Sequence, residues 1–348
     1  MFCTNSVLLS VFVFVIFRIV GSEVKEDSLD RVCASNQRCI PASDCTTLNY
    51  NFTSLTERDR SLYLNSSACN EAEQLICCSS FTSETDAPDI CGENPDYEKI
   101  YNGYDTDLQD YRWMVLLEYT SPNTTNITYQ CAGSLINNRY VLTAAHCLTK
   151  KDKLTQVHLG KYNSNAHENC IKDECVHPTV TVGIDDIIIH ENYSATTKLN
   201  DIALIRLSTV VYYTDFIQPI CLPSTLGLMP DDAARVISGW GRGARNSNKQ
   251  MLPIPRNNFT VCAEKYRRRL NIHIDEATQM CAGDIPNQGP CAGDSGGPLM
   301  TVVRNKYAIE GIISSGYNIC DLNKNVSYPI IFTKVAAFEP WIKMKIRP

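Results

Sequence analysis

Seventeen cysteines in a chain of 348 residues limit what this sequence can become. Reduced cytosolic proteins rarely hold so many, whereas disulfides persist in secreted ones. Zinc sites are the competing use of cysteine. No repeated Cys-x-x-Cys pairs with matching histidine spacing occur, so the sequence predicts no metal and no other cofactor. The N-terminus agrees with an oxidising compartment. Val7 to Phe17 is almost entirely apolar, and the small residues Gly21 and Ser22 follow it, which reads as a signal peptide over 1–22. The run is too short for a membrane anchor, and Arg18 interrupts it. Loss of Cys3 with that peptide leaves sixteen cysteines, an even number that can pair completely. Seven Asn-x-Ser/Thr triplets, at Asn51, Asn65, Asn123, Asn126, Asn192, Asn258 and Asn325, point to the same secreted, extracellular location.

The length exceeds that of one ordinary domain and suggests two units. With a net charge of −6 and no long basic block, nucleic acid is excluded as a partner. No later stretch is apolar enough to span a membrane. Cys33, Cys39, Cys45, Cys69, Cys77 and Cys78 fall within 33–78, a segment poor in large apolar residues that needs covalent staples. Six cysteines allow about fifteen pairings, so their spacing fixes none. Residues 79–99 read as a linker, rich in Ser, Thr and acidic side chains up to Pro88. From Ile100 onward the texture changes. Short apolar or alternating runs recur at Trp113–Leu117, Ile187–Ile189, Ile202–Leu207 and Ile309–Ile313, separated by turn residues. That pattern predicts an all-β barrel or sandwich. One helix is expected, near the end at Ala336 to Ile346, where Phe338, Trp341, Ile342 and Lys345 share a face.

Three local strings carry chemistry. In Gly293-Asp294-Ser295-Gly296-Gly297-Pro298, glycines around a serine permit an unusual backbone and close substrate approach, and the N–H groups of Gly293 and Ser295 can face a developing oxyanion. In Thr143-Ala144-Ala145-His146-Cys147, a histidine flanked by small residues follows the apolar run Tyr140–Leu142; alone it reads as a structural histidine. In Asn200-Asp201-Ile202-Ala203-Leu204, an aspartate heads an apolar run, where such residues commonly cap strands. Together they supply a nucleophile, a base and a group that orients the base.

These strings resemble the trypsin/chymotrypsin family. His146, Asp201 and Ser295 follow that family's chain order, 55 and then 94 residues apart. The likeness covers roughly 100–348. It implies two antiparallel six-stranded β-barrels, a C-terminal helix, and a serine endopeptidase site between the barrels. By the same resemblance Cys131–Cys147, Cys262–Cys281 and Cys291–Cys320 pair. The six-cysteine segment, with its adjacent Cys77-Cys78, resembles the clip domain of arthropod clip-domain serine proteases. That likeness implies Cys33–Cys77, Cys39–Cys69 and Cys45–Cys78, with Cys91–Cys221 tethering the two chains after activation and Cys170–Cys175 as the remaining pair. The family's mature catalytic chain begins near Ile100, after Lys99. Cleavage there creates an ammonium that pairs with Asp294, because an isolated buried carboxylate is costly.

The sequence departs from the family at the specificity pocket. Relatives that cut after Arg or Lys place an acid six residues before the nucleophile; here stands Gly289, followed by Pro290. Ser314-Ser315-Gly316 lacks the expected tryptophan, and Ile330 replaces a common glycine opposite Gly316. Cleavage after small or apolar residues is therefore expected, and self-activation at Lys99 is not. Lys161 stands where calcium-binding relatives carry glutamate, and an ammonium cannot ligate calcium. The expected partners are a protein substrate, an upstream trypsin-like activating protease and a serpin-type inhibitor, within an innate-immune or developmental cascade. The competing class is a catalytically weak homologue acting as a binding cofactor. A venom or digestive protease is a third reading, which the clip segment disfavours.

Overall fold

The structure is a computed structural model that describes residues 37–41, 68–70, 75–79, 90–93, 105–122, 126–165, 168–171, 174–227, 229–241, 247–286, 288–316 and 328–347. The predicted signal peptide and the Lys99–Ile100 bond lie outside the described residues.

Near the N-terminus, β1 (Gln37–Pro41), β2 (Ala68–Asn70) and β3 (Leu75–Ser79) form a small sheet in the order β1-β3-β2. Cys39 is bonded to Cys69. The side chains of Cys33, Cys45, Cys77 and Cys78 lie outside the described residues.

The remaining strands build two barrels. The first uses β4 (Met114–Thr120), β5 (Ile127–Leu135), β6 (Tyr140–Thr143), β7 (Lys153–Leu159), β10 (Val180–Ile189) and β11 (Ala203–Leu207). It closes in the order β10-β11-β6-β5-β4-β7. Helix α1 (Ala145–Leu148) follows β6. Between β7 and β10 a separate hairpin projects, β8 (Glu168–Ile171) with β9 (Glu174–Pro178), in which Cys170 is in register with Cys175. Helix α2 (Pro223–Leu226) leads to the second barrel. That barrel uses β12 (Arg235–Gly239), β13 (Gln250–Pro253), β14 (Gln279–Gly283), β15 (Pro298–Val303), β16 (Lys306–Ser315) and β17 (Pro329–Lys334). Its order is β13-β12-β15-β16-β17-β14, and an isolated bridge between Arg256 and Ala282 joins the two edges. Irregularities in register at Leu117/Glu118 and Leu299/Met300 bend the strands as closure requires.

Each barrel is filled by the inward residues of its strands. Trp113, Tyr119, Leu135, Tyr140 and Leu142 are fully buried in the first, and Leu299, Ile313, Ile330 and Phe332 are buried in the second. One continuous apolar cluster links the two through Trp113, Met300, Tyr307 and Ile309. The Trp113 indole N–H donates to Met300 Sδ at 3.0 Å.

The C-terminal helix is present as α4 (Val335–Lys345), and it buries Phe338, Trp341 and Ile342. Lys345 serves differently from the apolar face it was grouped with: its ammonium pairs with Glu191. A second long helix is present that the sequence reading did not anticipate. A twelve-residue helix, α3 (Phe259–Leu270), connects β13 to β14. Its sequence is mostly polar and buries only Cys262 and Tyr266, which left little apolar periodicity to read. Its boundaries were legible in Asn258, whose side chain accepts from Val261 N–H at 3.2 Å, and in Asn271, which ends the helix in the left-handed region.

Phe332 tests the packing of the second barrel. Phe332→Ala should destabilise the protein by about 3–5 kcal/mol, read as a lower denaturant midpoint with unchanged slope.

Candidate active site

The first barrel supplies two of the three residues singled out by sequence. His146 sits on α1, directly after β6. Asp201 heads β11, and the backbone just before it is constrained: Lys198 and Asn200 both adopt positive φ, near 58° and 53°. Main-chain bonds from His190 N to Ile202 O and from Ile202 N to Asn200 O fix the turn. Ser295 comes from the second barrel, in the loop between β14 and β15.

Asp201 has no exposed surface, and its carboxylate is fully engaged. Oδ2 lies 2.7 Å from His146 Nδ1, and Oδ1 accepts from His146 N–H at 2.8 Å. Ser314 Oγ donates to Oδ2 at 2.6 Å, and Thr333 Oγ1 donates to the Asp201 carbonyl at 2.9 Å. A buried carboxylate needs such donors. The geometry assigns the proton of the His146 ring to Nδ1 and leaves Nε2 as the nitrogen free of it. Ser314 was expected in the wall of the specificity pocket. Its hydroxyl faces Asp201, a long-range contact that no local string reveals.

The Ser295 loop is locked onto the first barrel. Ser295 O accepts from Ala132 N–H at 2.8 Å, and Gly297 N–H reaches Asp294 O at 3.0 Å. Gly296, at φ 81°, leaves no room for a side chain: a Cβ would stand 2.2 Å from Thr143 Oγ1. No hydrogen bond joins Ser295 Oγ to His146 Nε2. The ring nitrogen lies 3.8 Å from Cys147 Sγ, which is itself 3.6 Å from the Ser295 carbonyl. Catalytic contacts of this kind often tighten only with substrate present. The N–H groups of Asp294, Gly296 and Gly297 are bonded within the fold, whereas those of Gly293 and Ser295 donate to no described residue. Gly293 has φ 111°, a value that favours glycine.

Cys131, His146 and Cys147 bring possible metal-ligand atoms within 4.8 Å of one another. Cys131 and Cys147 are bonded as a disulfide, so neither offers a thiolate. Cys91–Cys221 and Cys262–Cys281 are also formed. Cys291 is disulfide-bonded, and Cys320 lies outside the described residues. The side chains of Cys170 and Cys175 lie outside them too.

Asp294 is held by backbone donors. Its Oδ1 accepts from Gly241 N–H at 2.7 Å and its Oδ2 from Cys291 N–H at 2.8 Å. Gly239 and Gly241 make this approach possible, since a Cβ on either would meet the carboxylate at about 2 Å. At the pocket, Ile330 is buried and fills the space between Gly283 and Gly316. Its Cδ1 stands 2.4 Å from the place a Cβ on Gly283 would take, and its Cα and Cγ2 are 3.9 Å from that of Gly316. Gly289 and Pro290 lie half-buried just ahead of Cys291.

Two all-antiparallel barrels, with a buried Asp–His pair on one and a glycine-framed serine on the other, define a serine-type peptidase. A model of the family described as Trypsin matches residues 100–342. The chain is 41% identical over 275 residues to Serine protease 7 of Drosophila melanogaster, covering 75% of this chain and 68% of that one. It is 35% identical over 326 residues to phenoloxidase-activating factor 3 of Holotrichia diomphalia, covering 89% and 91%. Among solved structures it is similar to the Drosophila Grass clip serine protease of the Toll pathway, at a TM-score of 0.63 and 28% identity, covering 88% and 93%. The chain therefore belongs to the trypsin family, as a clip-domain serine protease, and is a serine endopeptidase.

Asp294 gives this site a pH signature. Burial is the main influence and raises its carboxyl above the ordinary value, while the N–H groups of Cys291, Gly241 and Trp240 pull it back. Folding then favours the protonated acid. Its stabilising share is complete below the unfolded value of about 3.9 and disappears as pH rises through the higher folded value. The uncleaved protein should lose stability over this weakly acid interval relative to Asp294→Asn. Denaturant midpoints from about pH 3.5 to about 6.5 check this, and parallel curves for the two proteins contradict it.

Proposed function

We propose that the chain is a secreted zymogen whose cleaved form hydrolyses peptide bonds in an extracellular cascade, with His146, Asp201 and Ser295 as its catalytic residues. The observation that carries this reading is the 2.7 Å contact between the buried Asp201 carboxylate and His146 Nδ1. In the mechanism, Ser295 Oγ attacks the scissile carbonyl while His146 Nε2 takes its proton. Asp201 holds the ring in that tautomer and stabilises the imidazolium. The oxyanion is received by the free N–H groups of Gly293 and Ser295. His146 then protonates the leaving amine. Water repeats the sequence on the acyl-enzyme and frees Ser295.

Activation is by cleavage at Lys99–Ile100. The new ammonium then neutralises Asp294, whose carboxylate lies in a cradle of backbone N–H groups with its protonated form favoured by burial. That pairing would hold the loop carrying Gly293 and Ser295 in its working shape. The boundaries in this reading are a clip domain at 33–78, a linker and activation segment at 79–99, and the protease domain at 100–348.

The pocket is short and lacks an acid. Gly289 offers no counter-charge to a substrate Arg or Lys, and Ile330 stands in its wall and shortens it. The preferred P1 residue is small or modestly apolar, so the activator is a separate trypsin-like protease. Relatives named as phenoloxidase-activating factors and as a Spaetzle-processing enzyme support a place in a melanisation or Toll-type cascade. A serpin-type inhibitor is the expected regulator.

The test is cleavage after Lys99 by a defined trypsin-like enzyme, then fluorophosphonate labelling and profiling on a P1 peptide library. The expected result is labelling at Ser295 and turnover of small or apolar P1 substrates, with Arg and Lys poorly cut. Arg preference contradicts the pocket assignment. Absence of labelling after complete cleavage contradicts the catalytic one and favours the binding-cofactor reading.

A further inference from the structure

A cleft of about 670 Å³ opens on the second barrel, away from the catalytic residues. Its size falls within the range of about 300–1,000 Å³ typical of small-molecule sites. It lies between α2, the start of α3 and the β14 side of the barrel, and its lining includes Met229, Asn257, Asn258, Phe259, Glu276 and Gln279. The proposed protease chemistry uses none of these residues.

Asn258 begins one of the Asn-x-Ser/Thr triplets, Asn258-Phe259-Thr260. Both Asn258 and Thr260 are exposed, and Phe259 is half-buried between them. The Asn258 side chain already works for the fold through Oδ1, which accepts from Val261 N–H and caps α3. Its Nδ2 makes no hydrogen bond to any described residue, so the nitrogen is free while the oxygen is engaged. Next to it, Asn257 donates through Nδ2 to Gly283 O at 3.2 Å, but its Oδ1 is buried and has no hydrogen-bond partner. The cleft thus joins an attachment nitrogen at its lip and an aromatic ring beside it, with the Asn257 acceptor buried beneath its surface.

We propose that Asn258 is N-glycosylated and that the first N-acetylglucosamine of the glycan seats at the lip of this cleft, its ring against Phe259. In the modification, a bond forms between Asn258 Nδ2 and the anomeric carbon of a lipid-linked oligosaccharide diphosphate. The bond from that carbon to the diphosphate oxygen breaks, the diphosphate leaves, and Nδ2 gives up one proton to a base. Oδ1 takes no part, so the helix cap survives. The inference goes beyond peptidase activity and rests only on passage through the secretory pathway. Among the described residues, Asn126 and Asn192 are also exposed triplet asparagines, but neither is a lining residue of this cleft.

The test uses the full chain secreted from insect cells. Release of glycans by peptide-N-glycosidase in heavy-oxygen water marks each occupied asparagine by mass. Asn258 should be occupied. Thr260→Ala removes the triplet but keeps the capping asparagine, and it should lower Tm by about 2–4 °C; Thr260→Ser should restore both glycan and Tm. Trimming the folded protein with an endoglycosidase that leaves a single N-acetylglucosamine should keep the full Tm, since only that sugar is seated. In the Thr260→Ala background, Phe259→Ala should cost less than in the glycosylated protein. An unmodified Asn258 overturns the proposal. So does a trimmed protein that falls to the Thr260→Ala value, or a Phe259→Ala cost that is the same with and without the glycan.

Discussion

The fold of the catalytic unit turns on one buried carboxylate. Asp201 has no access to water, and in a low-dielectric interior an ionised carboxylate without partners is prohibitively unfavourable. It survives because donors reach it from both barrels. The ring and backbone of His146 come from the first barrel, the hydroxyl of Ser314 from β16 of the second, while Thr333 on β17 holds the Asp201 main chain. The two barrels therefore cannot separate without stranding a charge. The same contacts that satisfy Asp201 set the tautomer of His146 and bring the serine loop alongside it. Packing through Trp113 and Met300 and the Ala132-to-Ser295 backbone bond act in the same direction. Stability and catalytic geometry are thus two consequences of one junction.

Asp294 presents the opposite case. Among the described residues its carboxylate is held by backbone N–H groups alone, and burial pushes its proton affinity up. Such a group waits for a cation. In the proposed activation the cation is made by the cleavage itself, which couples a broken peptide bond at the chain's linker to the order of the oxyanion loop. The chemistry of the pocket is separable from this coupling. In the proposed pocket, Ile330 and Gly289 would change what fits beside Ser295 and leave the Asp201 contacts as they are, so an altered specificity is compatible with intact catalytic residues.

Much of this was legible in the sequence, and the exceptions have a common cause. The strings around His146, Asp201 and Ser295 could be read because their chemistry demands particular neighbours: small residues beside the histidine, glycines beside the serine. The alternation of short apolar runs announced an all-β barrel or sandwich, the resemblance to the family implied two barrels, and Phe338, Trp341 and Ile342 announced the last helix. What escaped notice depends on contacts distant in sequence. Ser314 gives no local sign that its hydroxyl serves an aspartate 113 residues away. Gly239 and Gly241 look like ordinary turn glycines until Asp294 is seen against them. Helix α3 was missed because it is polar on most of its surface and its capping Asn258 was read only as a modification triplet. In the proposed glycosylation that residue has a double use, oxygen for the helix and nitrogen for a sugar, so one short string would hold two signals.

The account stands most directly on the Asp201–His146 contact, and the turnover of cleaved Asp201→Asn enzyme measures it. The amide keeps the size and loses the charge and the acceptor that fixes the imidazole tautomer. Turnover should fall by about 10⁴-fold at neutral pH, with thermal unfolding still cooperative. A loss of less than about tenfold in a folded variant would show that Asp201 does not hold His146 in its working state, and the central claim would fail.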